Sequence, residues 1–263
     1  MSLQQLVHVA IPTSYAVCHP STAQIQTAIN NIRLLLPESP IYIYCDYPQD
    51  YLDRARRRDY WKYLRRLSKL NLGTLIRMDE WVGLSGIHSS IVKHNRLPLV
   101  FNYQHDWELQ LPERIDTTRL LTALLDESNN VNYVRLAKRL YIRDGGHIDK
   151  NLIEVDQSVF GIPLIKTDGW SDNPHFATAQ HYRTHVLPNM SNCRRPDGSS
   201  GVETYVCMAY RNAIKQLGFD RAHEQWGVYL YGKLRDYRYI HHLGLSTTTW
   251  RCELGYLPDR IRQ

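Results

Sequence analysis

Leu6-Val-His-Val-Ala-Ile11 and Ile41-Tyr-Ile-Tyr-Cys45 are the two stretches that decide the fold. Each is a short apolar run rich in β-branched or aromatic residues, which is typical of a strand buried on both faces. Between them, Ser21 can cap a helix that extends to about Leu36 and carries isoleucines at helical spacing. A strand, a helix and a second strand in this order predict a parallel pair joined by a right-handed crossover.

The same alternation continues along the chain. A basic helix is predicted over 53–69, a strand over Gly73–Met78, a helix over Ile87–Asn95 and a strand over Leu97–Tyr103. The less regular second half predicts, in order, a short helix near Arg119–Leu125, strands at Tyr133–Leu136 and Val159–Ile162, helices at Phe176–Val186 and Val202–Leu217, and β-runs at Gly227–Tyr231 and Arg238–His241. We therefore expect an α/β fold with a central, mostly parallel sheet flanked by helices.

Length, charge and cysteine usage narrow the class of protein. The chain has 263 residues, a formal net charge of +6 and a pI of about 9.0. No stretch reaches the roughly 18 uncharged apolar residues of a membrane span, and the first residues lack the build of a signal peptide. The five cysteines are scattered without a C-x-x-C pair, which indicates reduced thiols. We expect a soluble protein of the cytoplasm.

Much of the positive charge lies on the predicted helix over 53–69. Its basic residues fall at helical spacing and would form one positive face: Arg54, Arg58, Lys62, Arg65, Arg66 and Lys69. Such a face can contact a polyanion, either nucleic acid phosphates or an anionic membrane surface. It can equally be an ordinary solvated helix face.

Ligands of a parallel sheet bind outside the carboxyl ends of its strands, so the residues after each strand are the candidates. Neither G-x-G-x-x-G nor G-x-x-x-x-G-K-[ST] is present, which argues against a Rossmann dinucleotide site and a P-loop. Phe101-Asn-Tyr-Gln-His-Asp-Trp-Glu108 instead ends a strand in His-Asp. A carboxylate and an imidazole placed there can hold a divalent cation that bridges a diphosphate, although a strand-terminal Asp also commonly caps a turn.

The order of these features resembles the GT-A fold glycosyltransferases, which use nucleotide-diphospho-sugars. Pro12-Thr-Ser-Tyr15, Asp46 and Gln104-His-Asp106 match the nucleotide loop, the acid near the base or ribose, and the D-x-D-type motif. Gln104 stands where the family usually has the first Asp. The resemblance implies these donor-binding residues: Pro12, Thr13, Ser14, Tyr15, Asp46, Lys93, Asn95, Arg96, Gln104, His105 and Asp106. It also implies Mn²⁺ or Mg²⁺ on Asp106 and His242, since His241-His-Leu-Gly244 resembles the family's late His-x-Gly element.

The segment Trp170-Ser-Asp-Asn-Pro-His-Phe-Ala177 resembles the family's acceptor side, where an Asn-Pro turn opens a helix. The resemblance implies acceptor contacts from Trp107, Trp170, Ser171, Asn173 and His175. Glu203 falls near the family's catalytic base, with Asp172 as the alternative. Ser200-Gly-Val-Glu203 is also a capping box, in which Glu203 would satisfy a backbone N–H. His181 and His185, four residues apart, are interpreted as a surface pair rather than a metal site.

The resemblance implies one GT-A-like domain over 1–263, with a nucleotide-sugar half over 1–110 and a smaller acceptor-side, catalytic half over 111–263. The expected activity is sugar transfer from a nucleotide-diphospho-sugar, UDP being the family's commonest nucleotide, to a hydroxyl. The basic helix favours DNA as acceptor, through a hydroxymethylated pyrimidine such as 5-hydroxymethylcytosine. That chemistry is typical of viral enzymes that work in the host cytoplasm. A cell-surface or capsular glycan is the competing acceptor, and a non-catalytic nucleic-acid-binding domain is the third hypothesis.

Overall fold

A nine-stranded mixed sheet organises the computed structural model, which describes residues 2–49, 52–143, 149–190 and 201–243. The strands of the described residues are β1 (Val7–Thr13), β2 (Ile41–Cys45), β3 (Thr74–Arg77), β4 (Leu99–Asn102), β5 (Trp107–Leu109), β6 (Tyr133–Leu136), β7 (Leu152–Glu154), β8 (Leu164–Thr167), β9 (His175–Thr178), β10 (Val228–Tyr231) and β11 (Ile240–His242). The α-helices are α1 (Ala23–Leu35), α2 (Arg54–Leu70), α3 (Gly83–His94), α4 (Thr117–Leu125), α5 (Gln157–Phe160), α6 (Ala179–His181), α7 (Leu187–Met190), α8 (Val202–Leu217) and α9 (Phe219–Trp226), with a π-helical turn over Tyr182–Val186 between α6 and α7. None of the described helices is long and apolar enough to cross a membrane.

The strand order is β3-β2-β1-β4-β9-β6-β10-β8-β7, with a separate ribbon of β5 and β11. Pairing is parallel for β1 with β2 and β4, for β2 with β3, and for β6 with β10. Only β8 and β9 run against the other strands of this sheet. The predicted α/β class with a mostly parallel sheet is therefore confirmed.

Helices cover both faces of the sheet. Apolar residues of α1, α2 and α4 pack in one core cluster, while those of α3, α8 and α9 pack in a second cluster on the other face. Because β1, β2, β4, β6 and β10 all run the same way, they end at one edge, which we call the carboxyl edge. The antiparallel strand β9 begins at that edge, where His175 is paired with Asn102. Loops from both halves of the chain therefore meet there.

Two predicted elements of the second half are wrong. The apolar run Val159–Ile162 is not a strand, because Asp156 caps the short helix α5 and Gly161 ends it at a φ of +69°. The strand follows at β8. Phe176–Val186 is not one helix: its first residues form β9, which fits between β4 and β6 and stacks Phe176 on Phe101. Sheet pairing overrides local preference here.

The interpretation of His181 and His185 as a surface pair is also wrong for His181. Its ring is buried between Tyr133 and Trp226, and His185 stacks on the same indole with ring centroids 4.3 Å apart. Burial holds the pKa of His181 well below its usual range. His181 is thus a neutral core residue at neutral pH.

Candidate functional site

The carboxyl edge brings Asp106 and His242 together, although 136 positions separate them in sequence. Asp106 lies in the turn between β4 and β5, and β5 pairs with β11 so that Trp107 is opposite His242. Nε2 of His242 is 2.9 Å from Oδ2 of Asp106, and the backbone N–H of Leu243 donates to the Asp106 carbonyl oxygen at 2.9 Å. The two residues that the resemblance implies as metal ligands are therefore in direct contact.

The Asp106 carboxylate is buried and only half satisfied. Its Oδ1 atom is buried and has no hydrogen-bond partner among the described residues. Burial acts to raise the pKa of Asp106, but the hydrogen bond from His242 and the neighbouring imidazoles outweigh it, so the pKa lies below its usual value. The same hydrogen bond raises the pKa of His242. An ionised carboxylate with an unused oxygen is a suitable ligand for a hard cation.

Asp172 lies next to this pair, just before β9. Its carbonyl oxygen accepts hydrogen bonds from Nε2 of Gln104 at 3.3 Å and from Nδ2 of Asn102 at 3.5 Å. Gln104, which stands where the resemblance implies an Asp, thus fixes the backbone of Asp172. Burial and then the nearby charge of Glu203 raise the pKa of Asp172 to about 7. A carboxylate with this pKa exchanges protons readily near neutral pH.

Glu203 lies in the first turn of α8, which begins at Val202 as predicted. The N-cap residue of α8 is Gly201, which has no side chain to bond the first backbone N–H groups of the helix. Ser200 of the predicted capping box lies outside the described residues. Oε1 of Glu203 is buried without a hydrogen-bond partner in the described chain. Glu203 and Asp172 are close enough for their charges to interact, so the structure brings both candidate bases together.

The loop after β1 reaches the same edge. Nδ1 of His105 is 3.2 Å from the carbonyl oxygen of Pro12, and the hydroxyl of Tyr63 bonds that of Thr13 at 3.0 Å. Ser14 and Tyr15 follow and are half-buried, which leaves them accessible to a ligand. These contacts connect the predicted donor loop to the His105-Asp106 turn.

Asp46 has a structural task in addition to its predicted donor role. Its Oδ1 accepts the backbone N–H groups of Tyr47 at 2.8 Å and Val82 at 3.0 Å, and Oδ2 accepts that of Gly83 at 3.0 Å. Burial raises its pKa in spite of these three donors. Asp46 therefore joins the end of β2 to the start of α3.

Replacing Asp46 by alanine is expected to lower the free energy of unfolding by about 1–3 kcal/mol, because buried backbone donors lose their acceptor. Urea denaturation followed by circular dichroism measures the change. Asp59→Ala is the matched control, since among the described residues the Asp59 carboxylate pairs with two exposed cations of α2. Equal effects of the two substitutions would show that the Asp46 contacts carry little stability.

The structure corrects part of the predicted donor site. Lys93, Asn95 and Arg96 lie between the end of α3 and the start of β4, which is the edge of the sheet opposite Asp106. The four residues of β4, at about 3.3 Å each, separate them from the carboxyl edge by more than about 13 Å. Asn95 accepts from the backbone N–H of Leu97, and Arg96 donates to the carbonyl of Lys93. It is the start of α3, at Gly83, that reaches the site.

The predicted acceptor contacts lie inside the fold. All five side chains are buried: Trp107, Trp170, Ser171, Asn173 and His175. His175 bonds the Tyr182 hydroxyl at 2.7 Å, and the Tyr133 hydroxyl donates to the Ser171 carbonyl. These two bonds fix the segment before β9, which carries Asp172.

The predicted basic face is present on α2, which begins at the carboxyl edge and runs away from it. Asp59 pairs with Arg58 and Lys62, and Arg66 donates to the carbonyl of Pro20. An exposed indole, Trp61, stands among these cations. Arg54 and Arg65 have no acidic partner in the described part of the chain. Part of the face is thus neutralised, and part is available to an anion.

A group of cations beside Asp172 was not predicted from the sequence. Arg135 is the last but one residue of β6, and Lys138 follows two residues after that strand ends. The backbone N–H of Leu136 donates to the carbonyl of Pro174, which aligns the chain after β6 with the segment that carries Asp172. They could have been predicted, because ligands bind outside the carboxyl ends of parallel strands and Lys138 follows such an end. That principle was used above for the first four strands only.

Solved structures match this architecture. Residues 1–349 of S. aureus TarS, in complex with UDP-GlcNAc, match with a TM-score of 0.51 and 11% identity, over 95% of this chain and 61% of that one. A mannosyltransferase from Pyrobaculum calidifontis, in complex with GDP-Man and Mn²⁺, matches with a TM-score of 0.37 and 16% identity, over 51% of this chain and 35% of that one. A nucleotidyl transferase from Methanothermobacter matches with a TM-score of 0.46 and 12% identity, over 88% and 87%.

The TarS match shows the fold class. This chain has a GT-A-like α/β fold, as the sequence predicted, and it spans about three fifths of the TarS fragment and about a third of the mannosyltransferase. No protein-family model matches the sequence, and no curated protein sequence does.

Proposed function

We propose that this protein is a glycosyltransferase that moves a sugar from a nucleotide-diphospho-sugar to a hydroxyl group. The observation that carries the proposal is the Asp106–His242 pair at the carboxyl edge of a GT-A-like sheet. The donor half is 1–110, whose strand-end loops hold Thr13, Ser14 and Tyr15 beside the pair. The acceptor-side half is 111–263, which contributes Asp172 and Glu203.

The residues present fit a divalent cation. Asp106 offers an ionised, unpartnered oxygen and His242 an imidazole nitrogen, and the described residues contain no third His, Cys, Asp or Glu that would complete a metal cluster with them. Two protein ligands suit Mn²⁺ or Mg²⁺, since such ions commonly complete their coordination with substrate phosphates and water. When bound, the cation would neutralise the negative charge that develops on the leaving diphosphate. The UDP-GlcNAc bound to the TarS fragment supports the choice of a nucleotide-sugar as donor, and of UDP as its nucleotide.

Asp172 is the proposed base. It takes the proton from the acceptor hydroxyl while the anomeric carbon acquires oxocarbenium character and the diphosphate leaves. Glu203 raises the pKa of Asp172 and so keeps its basicity matched to neutral pH. Asp172 is preferred to Glu203 because Gln104, two residues before Asp106, bonds the backbone carbonyl of Asp172. A proton-accepting base of this kind belongs to a reaction that inverts configuration.

The acceptor is proposed to be anionic. The exposed cations of α2 support DNA with a hydroxymethylated pyrimidine, which the enzyme would have to reach by extruding the base. A cell-surface or capsular glycan that carries anionic groups is the second candidate. The cations beside Asp172 favour it, because they lie at the site itself whereas α2 extends away from it.

Release of nucleoside diphosphate from a panel of UDP- and GDP-sugars, measured with Mn²⁺, tests the proposal. The assay is run alone, with unmodified DNA, with DNA that contains 5-hydroxymethylcytosine or 5-hydroxymethyluracil, and with capsular glycan fragments. We expect release from at least one donor that an acceptor stimulates. Stimulation by hydroxymethylated DNA alone would identify the DNA acceptor. No release from any donor, together with salt-sensitive DNA binding, would overturn the proposal in favour of a non-catalytic nucleic-acid-binding domain.

A further inference from the structure

A cationic cavity of about 160 Å³ opens beside the segment that carries Asp172. Among the described residues, four cations and one carboxylate line it: Arg135, Lys138, Arg139, Arg143 and Asp149. Ile142 and other apolar side chains form the rest of its wall. Neither Asp106 nor His242 lines the cavity. Its described lining residues belong to β6, to the chain between β6 and β7, to the start of β7, and to β10.

The charges of the cavity do not balance within the described chain. Asp149 is neutralised by a buried ion pair with Arg135 and also accepts the Thr167 hydroxyl at 2.6 Å. Lys138, Arg139 and Arg143 have no carboxylate within ion-pair distance among the described residues. Among the described residues these three cations are unpaired, so they give the cavity a positive potential that attracts an anion.

Arg135 gives a second, independent indication of a ligand. It is only 2% exposed, yet its Nε atom has no hydrogen-bond partner in the described structure. A buried N–H that lines a cavity and lacks an acceptor is costly, and a ligand oxygen would satisfy it. The planar guanidinium is well suited to phosphate oxygens, and lysine adds a second cationic donor.

We propose that this cavity binds a phosphate group of the acceptor, and that the acceptor is a sugar phosphate or polyol phosphate. The inference rests on the proposed function, since it assigns the acceptor subsite of that same reaction. Lys138 lies alongside Asp172, because Leu136 and Pro174 are bonded between β6 and the start of β9. A phosphate held by Arg135 and Lys138 places a hydroxyl of the same molecule next to the proposed base.

The shape of the site favours such an acceptor over duplex DNA. A phosphate must enter the cavity to meet the 2% exposed Arg135, whereas the phosphates of a duplex lie along a wide rod. The apolar wall at Ile142 suits the carbon skeleton of a sugar or polyol. The experiment must therefore distinguish binding of a small phosphate compound at this cavity from binding of DNA.

Isothermal titration with inorganic phosphate and with glycerol 3-phosphate tests the proposal on the full-length protein. Saturating UDP is present to cover any diphosphate site of the donor half. We expect wild-type protein to bind both ligands, and glycerol not to bind. The double variant Lys138→Ala/Arg143→Ala should weaken both affinities at least about tenfold, since charge-assisted hydrogen bonds are lost. Both substituted side chains are exposed, so the fold is preserved.

Lys215→Ala, which removes an exposed cation from α8, is the matched control and should leave binding unchanged. Unchanged affinity of the double variant, or the absence of phosphate binding by wild-type protein, would overturn the proposal. Binding of a DNA duplex that the double variant loses, without binding of glycerol 3-phosphate, would overturn it in favour of nucleic acid. The assay needs no donor turnover, so retained phosphate binding without any nucleotide-sugar activity would refute the proposed function alone.

Discussion

Asp106→Asn is expected to reduce sugar transfer about 10²–10³-fold in kcat/KM, because one anionic ligand beside the leaving diphosphate is lost. Asparagine has nearly the same shape and still accepts a hydrogen bond from His242, so the β5–β11 ribbon should keep its packing. The thermal unfolding midpoint is therefore expected to change little. Initial rates at several Mn²⁺ concentrations, with the midpoint measured in parallel, test both statements.

Asp220→Asn is the matched control for this substitution. Asp220 is an exposed carboxylate in the first turn of α9, far in sequence and fold from the carboxyl edge. We expect wild-type rates from the control and a raised Mn²⁺ requirement only in Asp106→Asn. Transfer that survives in Asp106→Asn at the wild-type rate would show that Asp106 is not a ligand and that the pair with His242 is structural.

Asp172→Asn is expected to lower kcat about 10²–10⁴-fold, since the acceptor hydroxyl loses its proton acceptor. Substrate binding should change less than kcat, because the backbone carbonyl that Gln104 and Asn102 hold is unaffected. The wild-type enzyme should also show an acid limb. The pKa of Asp172 is raised to about 7, so the carboxyl is protonated and inactive as a base below that pH, and kcat/KM should rise as pH increases through about 7.

Glu203→Gln separates the two candidate bases. If Asp172 is the base, removal of the Glu203 charge lowers the pKa of Asp172 and moves the acid limb to lower pH, with kcat at high pH largely kept. If Glu203 is the base, the same substitution abolishes transfer at every pH and Asp172→Asn is the milder change. Full activity in both variants would point to a retaining reaction, in which neither residue has this task.

The parts of the fold that sequence predicted well are those with strong local signals. The strand runs at Leu6–Ile11 and Ile41–Cys45 and the helix at Val202–Leu217 were found because apolar spacing and buried surface agree there. Phe176 was misassigned because its place in β9 depends on partners in β4 and β6 that are distant in sequence. Local pattern carries no information about such pairing.

In the candidate site, too, the residues with a local sequence signal were predicted and those that depend on distant contacts were not. Asp106 was identified from its place at a strand end, and His242 only from the resemblance, because nothing local connects residues so far apart. Lys93 was misplaced because the resemblance does not show which end of the sheet the last turn of α3 approaches, and only the topology does. The burial of Trp170 and the cavity around Arg135 depend on three-dimensional packing, which the sequence pattern does not reveal.

We expect nucleotide-sugar chemistry to take place at the carboxyl edge, around Asp106. Crystals of the protein grown with UDP or GDP and Mn²⁺, measured at the manganese absorption edge, locate both the metal and the nucleotide. We expect an anomalous peak in coordinating contact with Asp106 and His242, with the diphosphate beside the loop that holds Thr13, Ser14 and Tyr15. A nucleotide bound elsewhere, or manganese bound away from Asp106, would show that the chemistry does not take place there.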